Sequence, residues 1–164
     1  MLTIAPATLL WFLPFTLPVS VWAAWSDMKF MKIPNKAVLV MTLIYLLVGL
    51  FVFPLHVWAW GWALLVVVLV TGFVLNALHL IGAGDVKFAA AMSPFFVGAD
   101  LRLVLALFAA CLLGAFFSHR LMKHIPGFRR ATPDWASWTN PKFPMGLALA
   151  GVMIFYPFLG FWQG

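Results

Sequence analysis

The chain carries four acids, all aspartates: Asp27, Asp85, Asp100 and Asp134. Two of them directly follow long uncharged stretches. Met1 to Ser26 contains no Asp, Glu, Lys or Arg, and neither does Ala37 to Gly84. Ionisable groups at the edge of an apolar segment are costly to keep and usually mark a function. Two carboxyl groups in such a place suit acid–base hydrolysis of a peptide bond. Like charges about 3 Å apart cannot both ionise, so the pair would share one proton. The ionised partner takes a proton from water, while the protonated one polarises the peptide carbonyl. Asp85 is expected just before a helix, whose macrodipole favours negative charge. That makes Asp85 the ionised base and Asp27 the acid. A plainer reading stays open for each, because an Asp beside a Lys at a helix end is often a cap or an interfacial anchor. Gly82 and Gly84 favour chemistry at Asp85, since they let backbone pass close to a neighbouring helix or a bound strand. The short Gly82-Ala83-Gly84-Asp85 run lacks the third glycine of a dinucleotide fingerprint.

The elements that must position these acids are membrane helices. Hydrophobic residues make up 65% of the 164 positions and charged residues 9%, with a mean hydropathy of +1.07. A soluble domain carries about a quarter of its residues charged, because it must present a wetted surface. A bilayer span needs roughly 20 mainly apolar residues, and the uncharged stretches supply that length repeatedly. The expected fold is therefore all-α, a polytopic membrane protein with about six transmembrane helices, forming a single domain over residues 1–164. The largest polar insert, about His119 to Lys142, is too short to hold a core of its own. Residues 1–24 contain no Lys or Arg, which is unlike the basic start of a cleavable signal, so the N-terminal stretch reads as a retained helix.

The expected spans run about Ile4 to Trp25, Ala37 to Phe53, Val57 to Leu80, Val86 to Val97, Leu101 to Ser118 and Met145 to Phe161. Pro14 and Pro18 fall inside the first and predict a kink. The fourth is short enough to be a re-entrant or buried segment instead. With the N-terminus outside, this layout gathers Lys29, Lys32, Lys36, Lys87, Arg120, Lys123, Arg129, Arg130 and Lys142 on the inside. Only Arg102 is left outside, a strong positive-inside bias. Asp27 and Asp85 then fall at the same, cytoplasmic, face. Omitting the fourth span would put the basic insert opposite Lys29.

Three sequence blocks carry a resemblance. Gly82-Ala83-Gly84-Asp85-Val86-Lys87 resembles the GxGDxK signature of prepilin peptidases, the GxGD class of membrane aspartyl proteases. Asp27, shortly before Ile33-Pro34-Asn35, is similar to their first catalytic block. Lys142-Phe143-Pro144-Met145-Gly146 is similar to their late P-x-G block opening the last span. The three stand in the family's order and cover most of the chain. The resemblance implies Asp27 and Asp85 as the catalytic pair, with Gly82, Gly84, Lys87, Pro34, Asn35, Pro144 and Gly146 as motif or substrate-positioning residues. It also implies removal of leader peptides from pilin-like precursors at the cytoplasmic face of a bacterial inner membrane. Long members carry an N-terminal cytoplasmic segment with paired CxxC motifs and also N-methylate the new terminus. This chain has one Cys, Cys111, so no zinc, no other cofactor and no methyl transfer is expected. In form it is similar to the short peptidases of tight-adherence (Flp-type) pili.

Residue by residue, simpler roles remain available. Pro34 and Asn35 suit helix entry, with Asn35 as N-cap of the second span. Lys87 can pair with a carboxylate or anchor at headgroups. His56, His79, His119 and His124 lack ligand spacing, so no metal site is expected. The nine Trp fit an interfacial belt. The basic insert with Arg129, Arg130, Trp135 and Trp138 reads as a headgroup-facing amphipathic stretch. The net charge of +6 sits in loops between apolar spans and points to anionic lipid, not to nucleic acid. The expected partners are thus the lipid bilayer and pilin-like precursors. A non-catalytic membrane component, such as a pilus-assembly scaffold or a small transporter, is the rival. A transporter would place its ionisable residues near mid-bilayer, whereas here they lie at one edge.

Overall fold

The structure, a computed structural model, describes residues 6–159. Among these residues every regular element is helical: α1 (Pro6–Leu10), α2 (Leu13–Phe30), α3 (Asn35–Val52), α4 (Leu55–Ala77), α5 (Ala83–Met92), α6 (Leu101–His124), α7 (Pro126–Ala131) and α8 (Gly146–Leu159). Two short 3₁₀ turns, Ser93–Phe96 and Ala136–Trp138, complete the set. The expected limits of the outer spans at Ile4 and Phe161 lie outside the described residues.

Helices α3, α4 and α6 are each long and apolar enough to cross a membrane. Their outward faces carry Leu47, Phe51, Val70, Phe73, Leu105, Leu113 and Phe117, all well exposed. A soluble monomer does not carry apolar surface on that scale, and a bilayer solvates it. The chain is a helical, polytopic membrane protein.

The first expected span is not one helix. The chain breaks at Trp11–Phe12 between α1 and α2. Pro14 has no N–H to give the carbonyl four residues back, and its ring crowds that carbonyl. The helix therefore restarts, with Pro14 in its first turn and Pro18 retained inside. At its other end α2 runs one turn past Asp27, to Phe30. It closes on Met31 in the left-handed region (φ 53°), whose N–H bonds the Asp27 carbonyl at 2.8 Å. Asp27 is therefore an inward residue of the last turn rather than the helix end.

The buried face of α2 is built from small and polar residues, Thr16, Ser20, Ala23, Ala24 and Asp27. Its main neighbour α8 buries Gly146, Ala148 and Ala150. Small residues let membrane helices approach closely and exchange backbone contacts. Far from Asp27, Phe12, Tyr45, Phe53 and Phe95 form an aromatic knot with ring centroids 5.1–6.1 Å apart.

Helix α5 starts three residues earlier than expected and gives way to 3₁₀ geometry at Ser93. Together α5 and that turn rise about 23 Å, short of the roughly 30 Å hydrocarbon core. Val86, Phe88, Ala90, Ala91, Met92 and Phe95 are buried along it. It is a central, enclosed segment packed on α3, α4 and α8. Helix α6 runs six residues beyond Ser118, to His124.

The basic insert folds into a cap built on an aromatic stack. Trp138 is 2% exposed and stacks between His119 (5.2 Å, 17°) and Trp135 (5.7 Å, 8°). Its Nε1–H donates to the Thr132 carbonyl at 2.8 Å, and the Arg129 guanidinium lies 5.5 Å over its ring. Asp134 meets Lys29 at 3.4 Å, tying the cap to the end of α2.

Candidate functional site

Helix α8 begins at Gly146, so the Gly146 N–H has no partner within its own helix. It donates to Asp27 Oδ2 at 2.7 Å, a buried bond across 119 residues of chain. The approach leaves no room for a side chain. A Cβ on Gly146 would stand 2.9 Å from Asp27 Cβ and 3.0 Å from Oδ2. Pro144, fully buried, leads the chain into this contact. The late block and the first acid therefore meet directly.

The second acid enters from α5. Gly82 is the N-cap, in extended conformation, and Asp85 is the third helical residue. The sequence reading placed Asp85 ahead of the helix; it sits within the first turn, which still favours negative charge. Its carboxyl folds back on the cap, because a Cβ on Gly82 would lie 2.6 Å from Asp85 Oδ2. Such an acid resembles half of a capping box. Capping accounts for the fold-back, but not for a second buried carboxyl nearby. Gly84 lies against the Ile33 backbone, with its would-be Cβ 3.5 Å from Ile33 N. Lys87 Nζ donates to Asn35 Oδ1 at 3.4 Å. Both contacts join the second block to the first.

That last bond also overturns the capping role expected of Asn35. Pro34 occupies the N-cap of α3 (φ −69°, ψ 138°), no side chain caps the helix, and Asn35 is its first helical residue. The Pro34 carbonyl takes the N–H of Ala37 and Val38, which leaves the Asn35 carboxamide free to face Lys87. Lys87 makes no ion pair with a carboxylate among the described residues.

The electrostatics follow from burial. Asp27 is 5% exposed and lies past the apolar stretch of its helix. Loss of water raises its pKa, and the Gly146 hydrogen bond opposes the rise. Asp85 is pushed up to about 6, by burial first and by the charge of Asp27 second, with the Gly82 backbone working the other way. The two carboxyl groups are thus near enough for one to feel the ionisation of the other.

Asp85 also lines a trough of about 520 Å³ between α4, α5, α6 and α8, with Met145 beside it. Met145, which lines this trough, and Ile33, which lies against Gly84, are two further contributors; both lie inside the recognised blocks, but nothing in their residue types announces a place at the site.

The structure pairs Asp27 with Gly146, Asp85 with Gly82, Gly84 with Ile33 and Lys87 with Asn35; Pro34 and Pro144 stand next to these contacts in the chain. Asp27, held by the Gly146 N–H, and Asp85, folded back on Gly82 with its pKa raised by the charge of Asp27, form an arrangement suited to acid–base chemistry on a water.

A family model described as the type IV leader peptidase family matches residues 14–119. The match includes both aspartates, Pro34, Asn35 and Lys87, and ends before Pro144 and Gly146. No curated protein and no solved structure matches the chain significantly.

Proposed function

The chain belongs to the type IV leader peptidase family, and we propose that within it Asp27 and Asp85 are the catalytic pair of an aspartyl endopeptidase. The hydrogen bond from Gly146 to Asp27 favours the ionised form of that acid. The charge of Asp27 in turn favours the protonated form of Asp85. This reverses the assignment drawn from the sequence: Asp27 is the base and Asp85 the acid. The macrodipole at Asp85 is outweighed by burial and by its charged neighbour.

Hydrolysis then runs as follows. Asp27 takes a proton from water as the oxygen attacks the scissile carbonyl carbon, and Asp85 gives its proton to the carbonyl oxygen. Collapse of the resulting diol returns a proton to Asp85, and Asp27 passes its own to the leaving nitrogen. The C–N bond breaks and the shared-proton pair is restored.

The substrate class is the leader peptide of type IV prepilin-like precursors, cut at the cytoplasmic face of a bacterial inner membrane. About six passes of a single domain would hold the pair there. The basic loops support this orientation, and the basic cap bonded to Lys29 lies at the same end as the acids. The observation that carries the proposal is the convergence of three blocks, far apart in sequence, through the contacts Gly146–Asp27, Gly84–Ile33 and Lys87–Asn35, with the charge of Asp27 acting on Asp85. Co-expression with a type IV prepilin tests it, comparing wild type with Asp27→Ala and Asp85→Ala. Both variants should leave the precursor uncut. Normal processing by either would exclude the paired mechanism, and no processing by wild type would favour a non-catalytic scaffold.

A further inference from the structure

Two apolar hollows open beside α6, and only one reaches an acid. The larger, about 650 Å³, lies between α2, α6 and α8, and no acidic or basic residue lines it. The other is the 520 Å³ trough with Asp85 at one end. Its floor follows Asp85, Ala89, Met92, Ser93 and Phe96, spaced i, i+4, i+7, i+8 and i+11, which is a single helix face. One wall is Val67, Thr71 and Leu75 of α4, at i, i+4 and i+8. The other is Leu101, Leu105 and Phe108 of α6, again one face. From Asp85 to Phe96 the floor extends about 17 Å, the length of about 11 residues of helix. Helix α6 packs chiefly on α8, so its α4-facing side is open to an occupant.

We propose that the apolar segment of the precursor docks as a helix in this trough between α4 and α6, with the scissile bond at its Asp85 end. The inference rests on the peptidase reading and adds where the substrate lies. Asp85, one of the two acids, lines the trough, so an occupant seated along the floor presents its end to that carboxyl. The hollow between α2, α6 and α8 offers its occupant no ionisable group. A lipid acyl chain would satisfy the apolar walls equally well but would have nothing to present at the acid, which favours a peptide occupant.

The test uses the full chain in proteoliposomes with a type IV prepilin. Val104→Trp narrows the trough and Val21→Trp narrows the other hollow; melting temperatures confirm that both variants fold. Overpacking of this kind should slow prepilin cleavage about tenfold or more for Val104→Trp, and leave Val21→Trp within about twofold of wild type. In parallel, a photoreactive benzoylphenylalanine is placed at position 105 or position 21 of the Asp27→Asn protein, which holds its substrate uncut. Position 105 should capture the prepilin and position 21 should not. If wild type cleaves while position 21 captures the prepilin, or position 105 captures only lipid, the trough assignment falls and the peptidase reading stands. Capture at position 105 without cleavage by wild type keeps the docking site and removes the peptidase reading. Neither capture nor cleavage removes both.

Discussion

Gly146→Ala isolates the contact that joins the late block to the first acid. Its Cβ would stand 2.9 Å from Asp27 Cβ, 3.0 Å from Oδ2 and 3.2 Å from Cγ, where ordinary carbon contacts lie at about 3.5–4.0 Å. The Asp27 side chain is short, so its carboxyl must retreat by roughly 0.5–1 Å. That stretches the 2.7 Å bond from the Gly146 N–H beyond the ~3.2 Å limit of a good N–H···O contact. Losing a hydrogen bond to a charged group costs about 1.5–3 kcal/mol, or about 10- to 150-fold in rate if the bond is needed in the transition state. The direction on pH is also determined. The N–H stabilises ionised Asp27, so its loss raises the Asp27 pKa further and moves the acid limb of kcat/KM to higher pH. Cleavage of a purified prepilin from about pH 4 to about pH 8 reads both effects, alongside a melting curve. Partial misfolding would lower the plateau and leave the limb in place. A variant with wild-type rate and an unmoved acid limb would refute the role given to Gly146.

Further predictions concern the pair and the cap. Since Asp85 must be protonated to act and its pKa is about 6, kcat/KM should fall as pH rises through about 6; a profile flat to about pH 8 would contradict its role as acid. The same shift bears on stability. A carboxyl whose folded pKa stands above its ordinary 3.8 contributes stability that is complete below that value and lost as pH rises through about 6. Asp85→Asn should therefore melt above wild type at about pH 8 and alongside it at about pH 4, and equal melting at both would remove the proposed burial cost. In the cap, Trp138→Ala should cost about 3–5 kcal/mol of stability, because the ring is 2% exposed. Asp134→Ala breaks a pair with side chains 29% and 65% exposed and should cost under about 1 kcal/mol. Similar unfolding curves for the two variants would show that the insert is not held by its aromatic stack.

Much of this site could be read in advance because its residue types are rare here. With four acids in the whole chain, the two that follow long uncharged stretches stand out on cost alone. The positive-inside pattern puts both at one membrane face, and in the structure the charge of Asp27 reaches Asp85. What escaped depended on tertiary contacts. Asn35 has the chemistry of an N-cap, yet Pro34 took that position and Lys87 took the carboxamide. The break at Trp11–Phe12 depended on which of two prolines began a helix and which stayed inside one. Trp135 and Trp138 stand three residues apart in the insert, but their spacing does not announce that Trp138 stacks between Trp135 and His119 of α6. The acid–base order proposed here rests on a backbone N–H delivered by Gly146 from far along the chain, a contact that sequence spacing does not show.

The sharing of one proton by Asp27 and Asp85 is tested most directly by prepilin cleavage with purified wild type, Asp27→Asn, Asp85→Asn and the double variant in proteoliposomes. Each single variant should lose about a thousandfold in rate. The double variant should be no slower than either, because groups that act as one unit are not additive. A single variant within a few-fold of wild type, or a double variant showing the product of two independent losses, would contradict the shared-proton pair.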